Sequence, residues 1–159
     1  MPSKSIPEPW RSFLFDIDAA VGEPVDLHCL GGFVLTVLYD APRSTADVDV
    51  IAITPRTEIE ALMRLAEQGS ELHRKHKVYL QIVGVVTVPD GYGERLTEIF
   101  PGHFQRLHLF ALDPYDLALS KIDAASSGVA DLTGLAFVCT AEADCACPNA
   151  PNKTFANER

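Results

Sequence analysis

The chain has 159 residues, 47% hydrophobic and 22% charged, the balance of a folded domain and not of a disordered tract. That length suits one domain whose core needs no disulfide staples. Thirteen Lys and Arg against 22 Asp and Glu leave a net charge of −9, which argues against the broad basic face that bulk DNA binding requires.

Residues 1–9 carry three prolines and read as an irregular lead-in without the long apolar segment of a signal peptide. Trp10, Phe13, Leu14, Ile17 and Val21 recur at helical spacing, and Gly22 and Pro24 close that helix. Val25 to Leu30 is a strand, followed by Gly31-Gly32 and an apolar helix over Phe33 to Tyr39. Pro42 prevents that helix from running on, so residues 40–46 form a loop. Asp47 to Ile53 is β-branched and partly alternating, a strand ended by Pro55. Thr57-Glu58-Ile59-Glu60 matches a capping box, opening a helix whose buried stripe is Ile59, Leu62, Met63 and Ala66 and which stops at Gly69. Lys77 to Val88 is expected to be one long strand buried on both faces.

Beyond the Pro89-Asp90-Gly91 turn, Tyr92 to Phe100 reads as a short helix or ordered loop and Arg106 to Leu112 as a strand. Asp113-Pro114 then starts a helix to about Ala125, with Asp as N-cap and Pro at the first helical position. This order gives an α/β (α+β) fold, a mixed sheet flanked by helices. The longest apolar run, Val78 to Val88, is broken by Gln81, Gly84 and Thr87 and is too short to cross a membrane as a helix. A cytoplasmic, reducing setting is therefore expected, with Cys29, Cys139, Cys145 and Cys147 as free thiols.

One segment carries chemistry. Asp47 and Asp49 stand two apart on a strand, so both carboxylates project from one face. Close carboxylates repel, and a divalent cation between them relieves the repulsion; Mg²⁺ typically takes one or two carboxylates plus phosphate oxygens. Gly31-Gly32, between a strand and a helix, lets backbone amides approach an anion. Arg43, Ser44 and Thr45 lie in the loop entering the Asp strand, within reach of the same phosphates. By contrast, the basic run His73-Arg74-Lys75-His76-Lys77 suits a solvated helix end as well as an acceptor guide. The histidines His28, His103 and His108 are scattered, and the tail cysteines do not complete a zinc set.

The segment from Gly31-Gly32 through Arg43-Ser44-Thr45-Ala46 to Asp47-Val48-Asp49 resembles the nucleotidyltransferase superfamily (DNA polymerase β-like fold). That family's motif is Gly-Gly or Gly-Ser, a spacer, then Asp-x-Asp; the spacer here, Phe33 to Ala46, is slightly long. More narrowly, it is similar to small bacterial nucleotidyltransferase-like proteins, including the AbiEii-type toxins. The stretch LFALDPYDLALSKI, residues 109–122, is similar to an uncharacterised branch of that group, and Lys121 fits its helix lysine. The resemblance covers residues 10–137 and leaves 138–159 as a divergent, disordered tail.

It implies Mg²⁺-dependent transfer of a nucleotide from an NTP to an unknown acceptor, RNA or protein, and an antitoxin as a partner in a toxin–antitoxin or phage-defence system. Asp47 and Asp49 would be the catalytic metal ligands, and Gly31, Gly32, Arg43, Ser44, Thr45 and Lys121 would hold the nucleotide. Two departures stand beside this. The strand over 78–88 has Gln81 and no acid, where active members usually carry a third carboxylate, and Asp90 lies beyond it in a turn. The composition changes abruptly near Cys139, which reads as a truncation or frameshift of the domain's end. The alternatives are thus an active enzyme, a binding module with an incomplete metal site, and a truncated remnant of the same fold.

Overall fold

The apolar spacing at the start of the chain forms helix α1 (Trp10–Ala20), with Trp10, Phe13, Leu14 and Ile17 buried along one side. The computed structural model describes residues 5–41, 45–84 and 86–126. Cys139, Cys145, Cys147 and the tail over 138–159 fall outside the described residues. Near the end of α1, Asp18 is buried and its carboxylate accepts backbone N–H groups from Gln105, Arg106 and Leu107 at 2.7–3.1 Å. Burial alone would push that carboxyl up, but the three backbone donors outweigh it and hold it below the usual carboxylate value. The contact docks α1 onto the start of a strand nearly 90 residues away.

Five strands form one mixed sheet: β1 (Val25–Leu30), β2 (Asp47–Thr54), β3 (Tyr79–Ile82), β4 (Thr97–Ile99) and β5 (Leu107–Ala111), in the order β3-β2-β1-β5-β4. The β1 strand runs antiparallel to β2 and parallel to β5; β3 is parallel to β2, and β4 antiparallel to β5. Between them lie α2 (Gly31–Tyr39), α3 (Ile59–Ala66) and α4 (Glu71–His76), and α5 (Pro114–Ser126) follows β5.

Alternation sorts the sheet into two faces. Val25, Leu27, Cys29, Val48, Val50, Leu80, Leu107, Leu109 and Ala111 are buried in one core with Phe13, Leu14 and Ile17 of α1 and Phe33 of α2. The Trp10 ring meets Phe33 edge-on at 5.6 Å. Intervening positions, among them His28, Asp47, Asp49, Tyr79 and Phe110, are half-buried. A β-bulge keeps this sorting intact. His28 pairs with Ala52 while Cys29 pairs with Val50, so Ile51 is the extra residue, and Ile53 returns to the core.

Three expectations change. The strand over Lys77–Val88 shrinks to Tyr79–Ile82 because β3 is an edge strand, paired with β2 only over Asp47–Val50. Its Leu80 is buried while Gln81 and Ile82 are exposed, so it is not covered on both faces. The capping box does not form. Arg56–Glu58 makes a 3-10 turn first, which moves the helix start to Ile59 and leaves Thr57 outside the cap. The cap is instead one helix later, where Ser70 Oγ accepts the His73 N–H at 3.1 Å and opens α4. Tyr92 to Phe100 resolves into a 3-10 turn over Tyr92–Arg95 and the strand β4.

Helix α5 starts as its sequence predicts: Asp113 Oδ1 accepts the Tyr115 N–H at 2.8 Å, with Pro114 at the first helical position.

Candidate active site

Strand β1 ends at Leu30 opposite Asp49 of β2, and the chain turns at once into α2. Gly31 makes that turn with φ +74°, a conformation costly for residues with a Cβ. Space demands glycine as well. A Cβ built on Gly31 would collide with Asp49 Oδ2 and stand 3.1 Å from its Cγ. The second carboxylate is therefore seated against the backbone at the start of α2, where the helix end favours negative charge. Gly32 is a close approach of a different kind: a Cβ there would meet Thr45 Cβ and Cγ2, both at 3.1 Å.

Asp47 and Asp49 share one face of β2, both half-buried, while Val48 and Val50 point into the core. Thr45 Oγ1 donates to Asp47 Oδ1, and its methyl side faces Gly32. The threonine links the two halves of the motif, the glycine turn and the acidic strand. Across β2, Tyr79 of β3 is in register with Asp47 and Gln81 with Asp49. Burial, together with the negative charge of Asp47 and Asp49, pushes the Tyr79 hydroxyl above its ordinary pKa. On the core side, burial and the nearby Asp49 charge push the Cys29 thiol strongly upward, and it is a free thiol, as expected.

This arrangement fits Mg²⁺. It offers hard oxygen donors on one strand face, beside a turn where a Cβ would already fill the space, and Mg²⁺ keeps its other positions for water and phosphate oxygens. Among the described residues there is no cluster of three or more His, Cys, Asp or Glu placed to hold a metal. The position beside Asp49 on β3 is Gln81, and Asp90 is exposed in the turn beyond.

Gly31, Gly32, Thr45, Asp47 and Asp49 thus come together. Arg43 and Ser44 fall outside the described residues. Lys121 is half-buried on α5. Within the basic run, Lys75 Nζ and His76 Nε2 each lie 2.6 Å from Asp16 Oδ2, fastening α4 to α1.

Spacing alone missed a polar-aromatic group on the acidic side of the sheet. His28 Nδ1 is 3.2 Å from Tyr92 Oη, and the His28 ring stands edge-on to Tyr92 and to Phe110 at 5.8 and 6.1 Å. The one available signal was the alternation of β1, which puts His28 opposite to Leu27 and Cys29. Arg95 and Asp116, a bidentate pair at 2.9 and 3.0 Å with Asp116 buried, were missed too.

A mixed sheet in which a strand, a Gly-Gly turn and a helix lead into an Asp-x-Asp strand defines a protein of the nucleotidyltransferase superfamily. Residues 14–133 match the family described as nucleotidyltransferase of unknown function (DUF6036), and the chain belongs to it. No curated protein and no solved structure matches the chain.

Proposed function

We propose that the protein is a Mg²⁺-dependent nucleotidyltransferase that moves a nucleotide from an NTP to an acceptor. The observation that carries this is the seating of Asp49 against Gly31, with Asp47 beside it on the same strand face. In this reading Asp47 and Asp49 are the metal ligands. Bound Mg²⁺ would supply charge neutralisation for the triphosphate and the leaving pyrophosphate.

The chain's own part is placement. The Thr45 hydroxyl fixes the Asp47 carboxylate, and the glycine turn lets the triphosphate approach the backbone N–H groups at the start of α2. Arg43, Ser44 and Lys121 are proposed to contact phosphates, Arg43 through its two-pronged guanidinium. The setting proposed is cytoplasmic, and the likeness to AbiEii-type toxins extends the proposal to a defence system with an antitoxin partner. No helix among the described residues is long and apolar enough to cross a membrane.

Gln81 beside Asp49 favours a second reading, a nucleotide-binding module that does not turn over. Incubating the purified protein with α-labelled NTPs, Mg²⁺ and cell extract separates the two. An active enzyme deposits label on an acceptor, and Asp47→Ala and Asp49→Ala abolish it. Binding of NTP without transferred label supports the module.

A further inference from the structure

We propose that His28 is the base that receives the proton of the acceptor hydroxyl, an inference that rests on the nucleotidyl-transfer reading above. His28 lies on β1, the strand directly beside β2, and points to the same side of the sheet as Asp49. Leu30 pairs with Asp49, so His28 is one strand across and two residues back, a Cα separation of roughly 8 Å from strand and residue spacings. The proposal places the acceptor oxygen between the carboxylates and this imidazole. On the opposite flank of Asp49, β3 supplies Gln81, which cannot take a proton at neutral pH.

The imidazole is held. Tyr92 Oη is 3.2 Å from Nδ1, and Phe110 of β5 stands edge-on to the ring. In the tautomer that serves a base, Nδ1–H donates to Tyr92 Oη and leaves the Nε2 lone pair open. The acceptor oxygen then bonds to the α-phosphorus, and the bond from that phosphorus to the bridging oxygen breaks. Pyrophosphate leaves with the electron pair, and the acceptor's proton passes to Nε2.

The surroundings suit this task. Burial lowers the His28 pKa below its ordinary value, with Asp26 on the same strand opposing in part, so the ring is neutral near pH 7. The groups facing it are Tyr92 from the 3-10 turn, Ala52 from β2 and Phe110 from β5. Asp49 of β2, and the His108–Glu98 pair of β5 and β4 at 3.5 Å, lie further along that side.

The test uses the full chain and its Asp47/Asp49-dependent label transfer, measured in single turnover across pH 5 to 9. His28→Gln keeps a polar group toward Tyr92; it is expected to slow transfer by about 10²–10⁴-fold. It should also remove the acid-side fall in rate, while Mg²⁺-dependent binding of a non-hydrolysable NTP analogue stays within twofold. Tyr92→Phe, which loses only the hydroxyl, should slow transfer less and displace that acid-side limb. A second readout is the ¹³Cε1 resonance of His28, expected to move when the analogue and Mg²⁺ are added to wild type and not to Asp49→Ala.

Asp-dependent transfer that persists in His28→Gln with an unaltered pH profile overturns the proposal and leaves the transferase reading standing. Absence of Asp-dependent transfer in the wild type overturns the transferase reading, and an unmoved His28 resonance then removes His28 from the site altogether.

Discussion

At the scale of single residues, the site depends on what Gly31 lacks. A methyl group there would enter the Asp49 carboxylate, and φ +74° is strained for alanine. Gly31→Ala should cost about 1–2 kcal/mol from backbone strain alone and displace Asp49. Gly22→Ala, where a Cβ meets nothing within 4 Å, is the matched control. Urea denaturation and NTP titration of the two variants check this, and equal behaviour would contradict it.

Asp18 contributes to the response to acid. Three backbone N–H groups hold its folded pKa below the unfolded value. Its contribution is complete above the unfolded carboxylate value, about 3.9, and is lost as pH falls through the folded one. The urea midpoint should therefore drop in acid, with a flatter profile for Asp18→Asn. That variant should be about 2 kcal/mol less stable at pH 7.

Much of the residue-level site was legible. Asp47, Asp49, Gly31 and Gly32 announce themselves by type and spacing. His28 did not, because its partners Tyr92 and Phe110 lie 64 and more residues away and meet it only through sheet order. The Thr45 hydroxyl donates to Asp47, a pairing visible only once the loop is folded.

Among the elements, amphipathic spacing located α1 and the Asp-Pro pair located α5, since both signals are local. The extent of β3 was not local information. Apolar residues continue to Val88, but β2 offers β3 a partner only up to Val50, and the half-buried Val86 and Val88 pack on the core without entering the ladder. The start of α3 failed for a related reason. The 3-10 turn over Arg56–Glu58 occupies the first two residues that the capping box needed. Stability should reflect the caps as found. Ser70→Ala is expected to cost about 1 kcal/mol, and the exposed Thr57→Ala within about 0.5 kcal/mol of zero. Denaturant midpoints of the two variants measure this, and the reverse ranking would restore the capping box.

For the whole molecule, the sheet divides labour between its faces. One face carries the apolar core, in which Phe33 is fully buried between α1 and the sheet. Phe33→Ala should cost about 3–5 kcal/mol, seen as a loss of thermal stability at an unchanged NTP affinity of the folded fraction. The other face carries Asp47, Asp49, Tyr79 and His28. The net charge of −9 and the use of Lys75 and His76 on Asp16 leave no broad basic field among the described residues, so the proposed recognition of a metal-bound nucleotide would rest on local geometry. Composition suggested as much, but only the sheet order shows the acids, the glycine turn and the imidazole on neighbouring strands.

The most direct measurement is calorimetric titration of a non-hydrolysable NTP analogue into the full chain, with and without Mg²⁺. Binding is expected to require Mg²⁺ and to be lost in the Asp47→Ala/Asp49→Ala double variant while its fold is retained. Binding of equal affinity in that variant, or in wild type stripped of Mg²⁺, would contradict the proposed function.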